Sequence, residues 1–299
     1  AFGTFIDGDV LVGRDGRTHA ETVTDAFIKG ILSTGTDVFY AGMVPSPVVY
    51  YGTVEMDVEG SAVVTASHNP AEYTGFKFNL EDALAMSREG GMKEIEEIYE
   101  SENFDHGNGD LEEVNLVQDY IEFVSHRVEL KKPLKVAVNF GNGVTATIGR
   151  KLLNTIGCEV TGVNEDIDGD FPNHLPAPGE EDAQKQLIEA MDDHDLGIIF
   201  DGDGDRAGFI VDSKYITEDE VLAVFAEESL DEKQGKVVHD LRASKLVPEK
   251  IEENNGEPVE TRVGHTFISE AIHDDSDIVF AGELSGHYYF PGLGFPWDD

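Results

Sequence analysis

A single cysteine, Cys158, is present in 299 residues, so no disulfide can form within the chain. That fits a reducing compartment. Positive charge is also scarce: Lys and Arg number 21 against 61 Asp and Glu, for a net charge of −40. Nucleic acid and anionic membranes both need a cationic face, so neither is expected as a partner. Long hydrophobic runs are missing, and none approaches the roughly 20 residues that span a bilayer. The opening AFGTFIDGD lacks a signal-peptide pattern. The expectation is a soluble, cytoplasmic protein.

What is present points to a folded chain. Hydrophobic residues make up 40% of it, enough for packed cores, and the length suits two or three α/β domains. A chain this charged would be disordered if its apolar residues were sparse, but they recur at regular spacing throughout. A folded protein this acidic suits a high-salt cytoplasm, where self-repulsion is screened. At molar salt the Debye length is about 3 Å.

The rest of the sequence is organised around Leu196–Asp212, LGIIFDGDGDRAGFIVD. Two apolar runs, 196–200 and 207–211, read as buried strands. Between them Asp201, Asp203 and Asp205 alternate with two glycines and end on Arg206. The glycines let the backbone turn tightly, so three carboxylates can converge, and a hard divalent cation relieves their repulsion. The bland reading is a solvated acidic turn. An EF-hand is set aside, because the preceding element is strand-like and the twelfth residue from Asp201 is Asp212 rather than Glu. A phosphatase of the haloacid dehalogenase type, with Asp201 as nucleophile, stays as a rival.

In the first segment a strand at Val10–Gly13 precedes a helix over 21–33 with Val23, Phe27 and Ile31 stacked. Strand 37–41 leads to Ser46-Pro47, which reads as an N-cap followed by a first-turn proline. Strand 61–66 runs into Ser67-His68-Asn69-Pro70 and on to Gly75-Phe76-Lys77. Ser67 is a candidate nucleophile, and an ordinary turn is the alternative. A Ser-His-Asp hydrolase is disfavoured without a G-x-S-x-G elbow. His68 need not serve Ser67, since adjacent strand residues face opposite ways. Helices are expected over 92–103 and 114–130, with His106 and His126 at the surface.

Lys131-Lys132-Pro133 marks a boundary. Strand 134–140, a Gly141-Asn142-Gly143 break, a helix to 156 and strand 158–163 form a parallel β-α-β unit. A lone GxG is weak evidence for a dinucleotide, and His174 reads as structural. Helices over 180–193 and 217–230 flank the acidic stretch. A third unit has strand 237–241, a helix over 244–253, a helix opened by Gly264-His265-Thr266, and strand 278–281. It ends in Gly282-Glu283-Leu284-Ser285-Gly286-His287, a polar cluster suited to sugar hydroxyls or a plain hairpin turn.

Together these loops resemble the α-D-phosphohexomutases, the phosphomannomutase/phosphoglucomutase group. The resemblance rests on Thr65–Pro70 with Gly75-Phe76-Lys77, on Asp201–Arg206 and on Gly282–His287, in family order and at family-like spacing. It implies three consecutive α/β/α domains with mixed sheets and an active site in the central cleft. These are 1–130 with the phosphoserine loop, 131–234 with the metal loop and 235–299 with the sugar loop. The first would be shortened at its N-terminus, and the third is left open as incomplete.

The resemblance implies Ser67 as the phosphorylated serine, with Mg²⁺ held by Asp201, Asp203, Asp205 and the phosphoryl oxygen on Ser67. Arg206 and Lys77 would flank the transferring phosphoryl group, and Lys77 and His287 would shuttle protons. Glu283 and Ser285 would hold sugar hydroxyls, with Arg242, Gly264 and His265 orienting the substrate. The implied reaction interconverts hexose 1-phosphate and hexose 6-phosphate, glucose or mannose, through a phosphoserine enzyme and a hexose 1,6-bisphosphate that also serves as activator. Leu284 and Phe76 lean away from the glucosamine branch.

Six cations, Arg14, Arg17, Lys77, Arg206, Arg242 and Arg262, are expected around these loops against the overall charge. Two departures from the family pattern stand out. Phe5-Ile6-Asp7, not Ser-Gly-x-Arg-Gly, follows Phe2-Gly3-Thr4, and the chain stops at Asp299 without the family's fourth domain. A weakly active or non-catalytic sugar-phosphate-binding fragment is therefore a further alternative. Oligomeric state is not legible.

Overall fold

The computed structural model describes residues 1–293, so the last six residues of the expected third segment lie outside the described part. Three sheets follow one another along the chain. Short helix α1 (Phe2–Phe5) precedes β1 (Val10–Arg14), α2 (Ala20–Leu32), β2 (Val38–Met43), α3 (Ser46–Glu55), β3 (Gly60–Val64), β4 (Phe76–Leu80), α4 (Lys93–Ser101) and β5 (Leu111–Glu113). The first sheet has the order β4-β3-β1-β2-β5, parallel except for the β3/β4 pair. After α5 (Val117–Ser125) come β6 (Leu134–Asn139), α6 (Gly149–Thr155), β7 (Cys158–Val163), α7 (Glu181–Ala190), β8 (Leu196–Phe200), β9 (Ala207–Val211) and β10 (Lys214–Ile216). The second sheet is ordered β10-β9-β8-β6-β7, parallel except for the β8/β9 and β9/β10 pairs. Then α8 (Glu218–Glu232), β11 (Lys236–Asp240), α9 (Leu246–Glu253), β12 (Glu257–Thr261), α10 (His265–Asp274), β13 (Ile278–Gly282) and β14 (Tyr288–Tyr289) build a third sheet, β12-β11-β13-β14. No helix among the described residues is long and apolar enough to cross a membrane.

Local sequence explains most of these elements. Every residue of β3 is buried, as a strand covered on both faces requires. A capping box between Thr217 and Glu220 starts α8. α3 has no polar face: Ser46 through Thr53 are all buried. It is therefore sandwiched, and one continuous core joins its Val48, Val49 and Tyr50 to Leu11, Ile148, Val238, Ile268 and Tyr289. That core draws on residues around all three sheets.

Three expectations are corrected. Ser46 does not cap α3; the helix begins at Ser46 itself, after Pro45, with no side-chain cap bond. The stripe of α2 is rotated: Ala20, Thr24, Ile28 and Ile31 are the buried set, while Phe27 reaches sideways to Phe2 and Phe76. The helix expected over 114–130 covers only Val117–Ser125, because the residues before it continue from β5. Phe2-Gly3-Thr4 is helical, with Phe2 stacked on Phe78.

Candidate active site

Three loops leave the carboxyl ends of β3, β8 and β13, where open α/β sheets place ligands. Ser67 follows β3. Its φ of +49° is left-handed, an uncommon conformation for a residue with a Cβ, and it is buried. This twist removes Ser67 from the strand's alternation. It brings the hydroxyl within 2.9 Å of Asp201 Oδ2, to which it donates, and 3.3 Å from His68 Nδ1. The alternation argument for His68 thus does not apply. Burial, with Arg206 next in effect, lowers the His68 pKa and favours neutral imidazole.

Asp201, Asp203 and Asp205 are almost wholly buried, and one oxygen of each lies within 4.8 Å of the others. Asp201 Oδ1 accepts from the Gly204 amide at 2.9 Å and the Arg206 amide at 3.3 Å, so the loop closes on its own first carboxylate. Gly204, at φ +78°, makes that closure possible. Lys77, on β4, bridges Asp203 Oδ2 at 2.6 Å and Asp205 Oδ2. Burial opposes its charge, but Asp203 and Asp205 outweigh burial and hold its pKa well above the ordinary lysine range. Burial, and then Asp203 and Asp205, raise the Asp201 pKa well above the ordinary carboxylate range. Asp205 goes the other way: burial raises its pKa, but Lys77, His287 and Arg206 overcome that.

Asp203 Oδ1 and Asp205 Oδ1 are buried with no hydrogen-bond partner among the described residues. An all-oxygen donor set with unmatched carboxylate oxygens fits a hard divalent cation.

The third loop closes the site. Arg206 Nε donates to His287 Nε2 at 3.0 Å and lies 4.0 Å from Asp201. The accepting Nε2 leaves His287 its proton on Nδ1, which faces Asp205 Oδ1 at 4.0 Å. Ser285 donates to Glu283 Oε2 at 2.6 Å, while Glu283 Oε1 is buried without a hydrogen-bond partner among the described residues. Arg242 donates three ways to Asp240, whose Oδ2 also accepts from the Leu284 amide at 3.1 Å, tying the two loops together. Gly264, at φ +135°, opens α10. His265 lies 5.5 Å from the His287 ring and 3.2 Å from Tyr289 Oη. The structure thus draws Ser67, Lys77, Asp201, Asp203, Asp205, Arg206 and His287 into one cluster. Glu283, Ser285, Arg242, Gly264 and His265 stand along its third wall.

Comparison with known proteins decides the lineage. Three family descriptions, "Phosphoglucomutase/phosphomannomutase, alpha/beta/alpha domain" I, II and III, match residues 2–106, 118–214 and 217–299 in order. The chain belongs to the phosphoglucomutase/phosphomannomutase family. It is 38% identical over 300 residues to a phosphomannomutase from Methanocaldococcus jannaschii, a match covering 97% of this chain and 66% of that protein. A phosphomannomutase/phosphoglucomutase from Pseudomonas aeruginosa is 33% identical, with 97% and 63% covered. The solved structure of a phosphoglucomutase/phosphomannomutase family protein from Burkholderia thailandensis superposes with a TM-score of 0.94 at 32% identity, covering 100% of this chain and 68% of that one. The chain thus spans about two thirds of the length of these relatives. Membership in this family removes the haloacid dehalogenase reading, which also left Ser67 idle.

The structure adds residues that the sequence did not single out. Ser46 Oγ donates to Asp203 Oδ2 at 2.7 Å, and its amide donates to the Asp203 carbonyl at 2.8 Å. Tyr50 Oη reaches Asp205 Oδ2 at 3.4 Å. The available signal was an α3 sequence, SPVVYYGTVE, too apolar to have a wet face. Arg17, expected beside these loops, lies against the Ser67 loop, wholly buried and bonded to Asp15 and to loop carbonyls. Arg14 is held by Tyr40 and the Asp15 carbonyl.

Proposed function

We propose that this chain is the catalytic part of a phosphohexomutase that interconverts the 1- and 6-phosphates of glucose or mannose. The single observation that carries the reading is the Ser67 hydroxyl on Asp201 at 2.9 Å, inside a cage of three carboxylates, Lys77, Arg206 and His287. Phosphoryl transfer is mainly positioning and charge stabilisation, and this cage supplies both.

In the proposed cycle the phosphoryl group on Ser67 passes to a hydroxyl of the bound sugar phosphate: its P–O bond to Ser67 breaks as the bond to the sugar oxygen forms. The hexose 1,6-bisphosphate reorients and returns its other phosphoryl to Ser67. His287 takes and returns the hydroxyl proton, while Lys77, held charged by Asp203 and Asp205, and Arg206 neutralise the transferring oxygens. Glu283 and Ser285 fix sugar hydroxyls, with Arg242, Gly264 and His265 orienting the remainder. Ser67, Asp201, Asp203 and Asp205 would hold Mg²⁺, which supplies charge stabilisation without proton movement. Three working units are proposed, 1–130, 131–234 and 235–299, with the phosphoserine, metal and sugar loops respectively. The net charge of −40 supports a salt-rich cytoplasm as the working medium.

The test is an assay of glucose 1-phosphate and mannose 1-phosphate with Mg²⁺ and glucose 1,6-bisphosphate in molar KCl. The expected result is hexose 6-phosphate, lost in Ser67→Ala, with phosphate on Ser67 seen by intact mass. Tight binding without turnover by well-folded protein would replace this conclusion with a sugar-phosphate-binding role.

A further inference from the structure

Arg17 carries a charge, is fully buried and touches none of the carboxylates in the cage. Its Nε donates to Asp15 Oδ2 at 3.0 Å. Its Nη2 donates to the carbonyls of Ser67 and Asn69, both at 2.7 Å, and its Nη1 to those of Pro70 at 2.7 Å and Tyr73 at 3.2 Å. All five donors of the guanidinium are thus consumed, four of them by one loop. The same ion pair reaches the other side of Ser67. Thr65 Oγ1 donates to Asp15 Oδ2 at 2.8 Å and accepts from the Ser67 amide at 2.8 Å. Both backbone polar groups of the nucleophile therefore answer to Asp15 and Arg17.

The second sheet seals this arrangement. Phe171 covers the Arg17 guanidinium at 5.0 Å, and Thr18 Oγ1 donates to Asp170 at 2.9 Å. A Cβ at Gly169 would meet the Thr18 amide at 2.2 Å, and one at Gly202 would meet the Ser67 carbonyl at 2.6 Å. A left-handed φ at a residue with a Cβ persists only where its surroundings over-determine it.

We infer that Arg17 is a positioning residue: with Asp15 and Thr65 it holds Ser67 in its left-handed conformation, and so keeps the hydroxyl on Asp201 ready for transfer. The inference rests on the proposed mutase reading for its kinetic consequence, but its structural content can be read separately.

Thr65→Val removes one hydroxyl at nearly constant volume and spares the ion pair. Its expected effects are two. Backbone amide exchange in peptides spanning 64–74 rises at least about tenfold with no change in 134–139. In the mutase assay kcat falls at least about tenfold while KM stays within twofold, since misplacing a reacting group by an ångström costs up to about 100-fold. Thr65→Ser restores both. Arg17→Lys, which cannot serve four carbonyls, shows the same pattern more strongly wherever it folds. Wild-type exchange and wild-type kcat in Thr65→Val would overturn the inference. If the wild-type protein turns over no substrate, the proposed function fails, and the exchange measurement alone decides the role of Arg17.

Discussion

Ser46, at the start of a helix in the first sheet's layer, holds Asp203 of the second at two points, hydroxyl to carboxylate at 2.7 Å and amide to carbonyl at 2.8 Å. The carboxylate is thereby aimed before any cation arrives. Partners of metal-ligating carboxylates typically affect affinity about 10–100-fold when removed. Ser46→Ala is accordingly expected to weaken Mg²⁺ binding at least about tenfold, measured by titration calorimetry. An unchanged affinity would mean that Asp203 is oriented without Ser46.

Lys77 neutralises part of a buried cluster that otherwise repels itself. Lys77→Met leaves three buried carboxylates facing one another. The expectation is a lower melting temperature without metal and a larger rise on adding Mg²⁺ than in wild type, because a ligand that binds only the folded state stabilises it. Equal metal-induced rises in the two proteins would show that Lys77 and the cation act on different sites.

Asp240 offers a pH-dependent test. Burial raises its pKa, but hydrogen bonds from the Arg242 side chain and backbone and from the Leu284 backbone outweigh burial and hold it below the ordinary value of 3.8. A carboxylate depressed on folding contributes stability that is complete above its unfolded value and fades as pH falls through its folded one. Asp240→Asn should therefore cost about 2 kcal/mol near neutrality, the scale of hydrogen bonds to a charged group. The gap to wild type should close below about pH 4. Denaturant melts at pH 7 and pH 3 read this directly, and a gap that widened toward acid would reverse the assignment.

Gly143 tests how the metal loop is supported. A Cβ there would stand 2.9 Å from the Gly202 carbonyl and 3.0 Å from that of Asp201, both rigid backbone. Gly143→Ala is expected to destabilise the fold by about 1–3 kcal/mol, as overpacking does, and to weaken Mg²⁺ binding. Thermal melts with and without metal would detect both.

Much of this was written in local sequence. The strands around Asp201–Arg206 fall at 196–200 and 207–211 as the two apolar runs require, and 158–163 is likewise a strand. The family resemblance carried by the three motifs brought Ser67, the acidic trio and His287 together in expectation. What sequence could not convey was contact at long range. Ser46 beside Pro47 has every local feature of a cap, and only folding shows its hydroxyl committed to a residue 157 positions away. Arg17 reads as a free cation until carbonyls 50 or more positions along the chain are seen to claim it. β4, β12 and β14 escaped notice because their alternation is short or interrupted, and pairing with a neighbouring strand defines them.

The nucleophile and the acidic trio stand on different sheets, yet Ser67, Lys77, Ser46 and Tyr50 all reach across from the first to the second. Prising that seam open would break every one of these bonds at once, three of them buried. In the proposed cycle the turning bisphosphate would find no room at this joint. On that reading its freedom to tumble is a demand on the rest of the cleft, and not on this seam.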